Sequence, residues 1–309
     1  MINGSFSQSF ILLGFSNQPY LELVLFAIIL FFYLLTLLGN TSIILVSQLD
    51  PRLHTPMYFF VSHVSSLDLC FTTSVIPQVL VHLSRTDKSI TFGGCAAQLY
   101  MSLALGSTEC LLLTAMALDR FAAICYPLRY AIFMNPRLCR QLAAGSWVGG
   151  FMASLLQTVL TMKLSFCGRA QVDGFVCEVP ALLKISCVDT TFIEVELFAA
   201  TLLYLGVPVL LIFVSYGRIA RAVLRIGSGE GRRKAFGTCE SHLLVVSLFY
   251  GSILTVYILP HNRYAEARGK WLSLFYTVVT PTLNPLIYTL RNQDVKGAMR
   301  RLLVQKTVK

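Results

Sequence analysis

The chain has 309 residues, 55% hydrophobic and 13% charged, with 25 Lys and Arg against 15 Asp and Glu for a formal net charge of +10. A soluble domain carries roughly 25% charged residues. A composition this apolar therefore points away from a water-soluble fold and toward a membrane protein.

Apolar runs occur at Leu23–Val46, Met57–Leu80, Leu99–Leu118, Leu142–Leu160, Val195–Val214, Leu243–Leu259 and Trp271–Leu290. A helix needs about 20 such residues to cross the hydrocarbon core. The first run is too long for a signal-peptide core and no basic residue precedes it, so it reads as a retained span. The expected fold is an all-α membrane protein, a seven-helix bundle in a single domain, 1–309. Its tail covers 1–22, the bundle 23–290, and a cytoplasmic amphipathic helix and tail 291–309. In that last segment Val295, Ala298, Met299, Leu302 and Leu303 share one helical face, which suits an inner leaflet.

Orientation follows from Lys and Arg. The loops on the side of the N-terminus carry eight and the opposite side seventeen, the latter against five acids. Positive residues remain cytosolic, so the N-terminus is expected outside the cell membrane. The basic excess thus belongs to one face, beside anionic lipid and a cytosolic partner, and argues for no nucleic acid.

The nine cysteines sort by side. Cys95, Cys167, Cys177 and Cys187 lie at the outer face, where disulfides persist; four cysteines allow three pairings, and spacing does not choose among them. Asn3-Gly4-Ser5 is a glycosylation sequon on the outer tail. The loop from about Leu164 to Ile193 is long for a compact bundle and holds three of those cysteines, which points to a cross-linked lid.

Few polar residues interrupt the spans. Asn40, Asp68, Glu109 and Asn284 lie in the first, second, third and seventh, and Glu109 sits about 16 Å from Arg120 along the third helix, near mid-membrane. Intramembrane carboxylates mark ion sites, proton relays or transport paths. Protonated carboxyls bonding helix to helix are the plainer reading, and sodium is the one cofactor the group could hold. A transporter or proton-coupled carrier using Asp68 and Glu109 is the rival class. It would show internal repeats, and none is evident between the two halves. Pro77, Pro208, Pro281 and Pro285 are expected to kink their spans. Cys239 and His242 stand at i, i+3, but two ligands without a further pair do not specify a transition-metal site. No hydrolase triad or P-loop is present, so no enzyme is expected.

At the end of the third span stands Met116-Ala117-Leu118-Asp119-Arg120-Phe121-Ala122-Ala123-Ile124-Cys125. With Leu53 through Phe60, Ser215-Tyr216, Lys234 through Cys239, and Pro281 through Asn292, the chain resembles the olfactory receptors of the rhodopsin-like seven-helix family along nearly its whole length. The resemblance implies odorant binding within the helices and activation of a heterotrimeric stimulatory olfactory G protein, raising cyclic AMP. It implies disulfides Cys95–Cys177 and Cys167–Cys187, and a coupling surface containing Asp119, Arg120, Tyr216, Lys234 and Tyr288. The chain departs from the family at Leu118 and Phe121, where tyrosines are usual, and at Glu240, where a small neutral residue is usual.

Helical spacing gives the expected ligand wall. Leu103, Gly106, Ser107 and Cys110 share a face of the third helix, Tyr250, Ile253, Leu254 and Tyr257 a face of the sixth, and Leu197, Ala200, Thr201 and Tyr204 nearly do on the fifth. Spacing alone favours ordinary helix packing; the resemblance places the odorant cavity between these helices, and Thr277 on the seventh is expected as an additional wall. Such a wall suits a small, neutral, volatile molecule. Ser102 stands where amine receptors of the wider family place an aspartate, and the seventh span has no lysine for a retinal Schiff base.

Overall fold

The computed structural model describes residues 9–15, 19–166, 171–258, 263–291 and 293–307. Seven long helices form the bundle: α1 (Pro19–Leu49), α2 (Pro56–Ser84), α3 (Phe92–Cys125), α4 (Pro136–Met162), α5 (Thr191–Leu224), α6 (Gly229–Ile258) and α7 (263–291). A further helix, α8 (Gln293–Thr307), follows.

Helices α1 to α5 and α7 each contain their apolar run and extend past it; α6 is described to Ile258, one residue short of the end of its run. Local chemistry sets the ends. Thr91 Oγ1 accepts from the Gly94 N–H at 3.1 Å to cap α3, and Asn135 Oδ1 accepts from the Leu138 N–H at 2.9 Å to cap α4. Pro56 and Pro136 occupy first helical positions, where a missing N–H costs nothing. Pro51, Pro127 and the Gly227-Ser228-Gly229 stretch stop or separate helices.

Helix α3 is the axis of the bundle, packed against α2, α4, α5 and α6. Leu105, Leu112, Leu113 and Met116 are fully buried there. Where α3 crosses α4, a Cβ on Gly150 would fall 2.3 Å from Thr108 Oγ1 and 2.8 Å from the Ala104 carbonyl, so only glycine permits the approach. Small residues at a crossing let two backbones gain dispersion contacts that lipid cannot supply. The opposite surfaces carry exposed Leu38, Val148, Leu210 and Phe213, tolerable only against acyl chains.

Two of the expected kinks take a different form. In α5 a π-helical turn, Leu202–Gly206, lies just before Pro208; in α7 another, Phe275–Val279, lies just before Pro281. A proline ring collides with the carbonyl four residues back, here those of Tyr204 and Thr277. The wider turn relieves that collision while the helix continues. Both of these candidate ligand residues therefore sit in π turns. Pro77 and Pro285 lie inside continuous helix.

The two ends of the bundle, called outer and inner after the orientation expected from the Lys and Arg distribution, are built differently. At the outer end, strands β1 (Ser9–Leu12), β2 (Ser89–Thr91) and β3 (Gln171–Val172) form a small sheet in the order β2-β1-β3, antiparallel then parallel. It joins the N-terminal segment to the first outer loop and to the long lid loop, with Phe10 and Leu12 buried beneath. At the inner end, α8 buries Val295 and Ala298. Its Arg301 donates to Asp50 Oδ2 through Nε at 3.0 Å and Nη2 at 2.6 Å, and Asp294 accepts from the Tyr58 hydroxyl at 3.1 Å.

Candidate functional site

The structure arranges the sequence-selected residues in three tiers. The uppermost lies under the lid. Cys95, in the first turn of α3, is disulfide-bonded to Cys177 of the lid loop, and the Cys177 N–H donates to Gln98 Oε1 at 2.8 Å. Cys187 is also disulfide-bonded, and its N–H donates to the Ser165 carbonyl at 3.0 Å; Cys167, its expected partner, lies outside the described residues, as does Asn3. Glu178, next to the bridge, accepts from Ser273 Oγ at 2.8 Å and from the Tyr276 hydroxyl at 2.5 Å, both on α7. The lid is therefore held to α3 covalently and to α7 by two charge-assisted hydrogen bonds. Sequence reasoning missed Glu178, although an acid directly after a lid cysteine was a signal it could have used. Lys270 adds an ion pair with Asp173 and donates to the Gly14 carbonyl at 2.9 Å.

The residues expected to form the ligand wall lie below. Leu103, Gly106 and Ser107 are half-buried on α3, and a Cβ on Gly106 would meet nothing within 4 Å. That is open space beside the helix. Ala200 and Thr201 are half-buried on α5, Ile253 is half-buried on α6, and Thr277 is buried on α7. Two tyrosines have other engagements. Tyr250 donates to the Cys110 carbonyl at 3.3 Å, which ties α6 to α3 and buries both residues. Tyr204 donates to the Gly149 carbonyl of α4 at 3.3 Å. Their hydroxyls serve helix packing, each donating to a backbone carbonyl of an adjacent helix. The side chains of Leu254 and Tyr257 lie outside the described residues.

The middle tier is polar. Asn284 Nδ2 donates to Asp68 Oδ2 at 3.0 Å, and Asn284 also stands within interaction range of Glu109. All three are buried, and neither Glu109 Oε1 nor Asn284 Oδ1 has a hydrogen-bond partner. Asn40 does not join them. Its amide donates to the Thr36 and Pro281 carbonyls, both at 3.1 Å, and so pins α1 to α7.

The inner tier is a set of latches. Arg120 donates to Asp119 Oδ2 through Nε at 3.0 Å and Nη2 at 2.5 Å, while the Tyr130 hydroxyl donates to Asp119 Oδ1 at 2.6 Å. Tyr130 belongs to the short helix Tyr130–Phe133 in the inner loop after α3. Burial, reinforced by the carboxylate it faces, pushes its phenol well above the ordinary value, so it remains a donor. On α6, His242 Nε2 lies 3.1 Å from the Leu113 carbonyl and Nδ1 lies 2.6 Å from the Tyr216 hydroxyl. A carbonyl only accepts, so Nε2 carries the proton and the tyrosine donates to Nδ1. Both ring nitrogens are thereby occupied, and the imidazole joins α6 to α3 and α5 rather than pairing with Cys239 around a metal. Tyr288 is buried nearby on α7 with its hydroxyl unpartnered. Lys234 lies on α6, its side chain outside the described residues. Leu118 is exposed, Phe121 meets Tyr126 edge to face at 5.6 Å, and Glu240 is exposed.

Comparison with known proteins agrees with this architecture. The pattern described as "Olfactory receptor" matches residues 29–306. The chain is 60% identical over 302 residues to human olfactory receptor 2G6, covering 98% of this chain and 96% of that one. It is 60% identical over 304 residues to human olfactory receptor 2G3, covering 98% of each, and 57% identical over 301 residues to mouse olfactory receptor 2C1, covering 97% of this chain and 96% of that one. Identity of this level across a helical bundle with a disulfide-tied lid above and an Asp-Arg latch below places the chain, a signalling protein and not an enzyme, in the olfactory receptor family.

Proposed function

We propose that this protein is an odorant receptor: a multi-pass protein of the cell membrane, N-terminus outside, that binds a small neutral volatile molecule between α3, α5, α6 and α7 and activates a stimulatory olfactory G protein. The whole-chain identity with olfactory receptors carries the reading. Family membership also sets the transporter rival aside.

The geometry supports a division of labour. The open space beside Gly106, the half-buried Leu103, Ser107, Ala200, Thr201 and Ile253, and Thr277 in its π turn offer an apolar wall with a few hydroxyls under a fixed lid. We assign Leu254 and Tyr257 to the same wall by helical spacing, with Cys110 and Tyr250 at its floor and Tyr204 at its side. A ligand pressing on α6 there acts on a helix whose inner half is held by His242. Release of that half would expose Arg120, Tyr216, Lys234 and Tyr288 to the G protein. The orphaned oxygens of Glu109 and Asn284 beside Asp68 fit a sodium ion bound in the resting state, or a shared proton.

The test is expression with an olfactory G protein and a screen of neutral odorants for cyclic AMP. A dose-dependent rise that disappears when the G protein is omitted is expected. If no odorant class produces one at confirmed surface expression, the proposal fails. Sodium titration of wild type and Glu109→Gln separates the ion from the proton: midpoints that move with sodium only in wild type support the ion.

A further inference from the structure

Helix α4 turns a polar face inward. From Ser146 to Thr161 its buried residues are all glycine, serine, threonine or glutamine, while Val148, Met152 and Leu156 are exposed toward lipid. Ser146 returns its hydroxyl to the Leu142 carbonyl at 2.8 Å, a common way for a serine to be satisfied within a helix. Three residues nearer the lid differ. Ser154 Oγ, Gln157 Oε1 and Thr158 Oγ1 have no hydrogen-bond partner among the described residues, although none of the three residues is more than 7% exposed. A buried polar group without a partner is costly, and more so in a membrane, where no bulk water reaches it.

Neighbouring helices bring two more such atoms to the same level. Gly150 of α4 meets α3 between Ala104 and Thr108. Eight residues toward the lid from that crossing, about 12 Å at 1.5 Å per residue, stand Thr158 on α4 and Gln98 on α3. The Cys177 N–H occupies Gln98 Oε1, and Gln98 Nε2 is left unpartnered. On α5, Tyr204 bonds the Gly149 carbonyl, and the same count from that pair reaches Gln157 and Glu196. Glu196 Oε2 is buried and also unpartnered. Five orphaned polar atoms from three helices thus lie within one helical turn of each other in height, beneath the lid. By the same count Leu103 and Ala200 of the ligand wall lie level with Ser154.

We propose that this layer is the polar end of the odorant site and that it selects alcohols. The pattern of donors and acceptors decides the class. Gln157 Nε2 donates to Thr161 Oγ1 at 3.3 Å, so its free Oε1 is an acceptor, as is Glu196 Oε2. Gln98 Nε2 only donates. A ketone, ester or ether offers no donor to the glutamine and glutamate oxygens. A protonated amine offers no acceptor to Gln98. A hydroxyl supplies both, and the hydroxyls of Ser154 and Thr158 can turn to either role. The alkyl chain of such a molecule then runs along Leu103 and Ala200. The proposal rests on the receptor reading, because it names the ligand class of the same wall.

The purified receptor in nanodiscs is heated with rising amounts of hexanol, octanol or decanol, and with the methyl ketone and the primary amine of each length. Binding to the folded state raises the thermal midpoint and yields an apparent dissociation constant. At the best-bound length the alcohol should bind about fivefold more tightly than the ketone, the effect of one neutral hydrogen bond, and more tightly than the amine. In the double variant Gln157→Leu, Thr158→Val the ratio of alcohol to ketone should fall to about one. In Ser154→Ala, which removes only an unpaired hydroxyl, it should fall to about half the wild-type ratio. Ser146→Ala should leave it unchanged. Partition into lipid is common to all these proteins, so it cancels in the comparison. No stabilisation by any alcohol, or a wild-type ratio near one, as a layer filled only by water would give, would overturn the proposal. So would a ratio that survives in the double variant or in Ser154→Ala, an equal loss in Ser146→Ala, or tighter binding of the amine. The two failures are distinguishable: cyclic AMP responses to odorants without an alcohol preference in binding remove this proposal alone, whereas the absence of any odorant response at confirmed surface expression removes the receptor reading.

Discussion

The outer and inner ends of this bundle are held by different chemistry. The outer end is fastened by a disulfide from Cys95 to Cys177, a three-stranded sheet, and Glu178 bonded to two hydroxyls of α7. The inner end is held by side-chain latches: Asp119 with Arg120 and Tyr130, His242 with Tyr216 and the Leu113 carbonyl, Asp50 with Arg301. Covalent and sheet contacts would keep the proposed ligand wall in shape. Single hydrogen bonds and ion pairs can be exchanged for others at modest cost, which is what a coupling surface needs.

If the inner latches are the signalling element, the largest effect should come from Arg120→Ala. Odorant-driven cyclic AMP should vanish while surface staining remains measurable. An undiminished response would remove Arg120 from the coupling surface and leave it as an interfacial anchor. Gly106→Leu probes the opposite end of the comparison. The space beside Gly106 accepts a new side chain without collision, so folding should persist while bulky agonists lose their response. Basal signalling should stay at the wild-type level.

The outer fastening should show itself as stability. Removing a native disulfide typically costs about 2–5 kcal/mol, so Cys95→Ser should lower both surface delivery and the thermal midpoint of the purified receptor. His242→Phe removes an inner tie and leaves the Tyr216 hydroxyl without its acceptor, at about 1–3 kcal/mol, while the Leu113 carbonyl keeps its bond within α3. A fall in thermal midpoint as large as that for Cys95→Ser would erase the distinction between a fixed end and a switchable one.

How much of this was legible in the chain depends on the range of the interaction. The spans were legible because a run of about 20 apolar residues has few alternatives. Their ends were less so, since α6 begins at Gly229, among charged residues that favour helix without favouring lipid. Prolines 208 and 281 announced a disturbance but not that a π turn would absorb it. Asp119, Arg120, Asp68 and Asn284 stood out as polar groups in apolar surroundings. The structure pairs them within two couples, and it separates Asn40 from the second. Tyr204 and Tyr250 look like free hydroxyls on a helical face, and only the neighbouring helix shows that backbone carbonyls take them. Glu178 with Tyr276 and Asp50 with Arg301 are 98 and 251 residues apart. No local pattern encodes such meetings.

The last latch predicts the smallest effect and a defined pH dependence. The Arg301 guanidinium beside Asp50, helped by the Arg52 N–H, holds the Asp50 carboxyl below the usual carboxylate range. A carboxyl whose folded value is depressed stabilises the docked state at every pH above its unfolded value, about 3.9. That contribution is lost only as the pH falls through the lower folded value. Docking of α8 should therefore be constant between pH 5 and pH 8 and weaken only in stronger acid. The distance between spin labels on α8 and on the loop at Asp50 measures this directly. Asp50→Asn keeps an acceptor for Arg301 but removes the charge, so its distances should broaden slightly at neutral pH and show a smaller change on acidification. A transition near neutral pH in the wild-type protein would mean that a group other than Asp50 controls α8, and the inner end would then contain a titrating switch in place of a permanent ion pair.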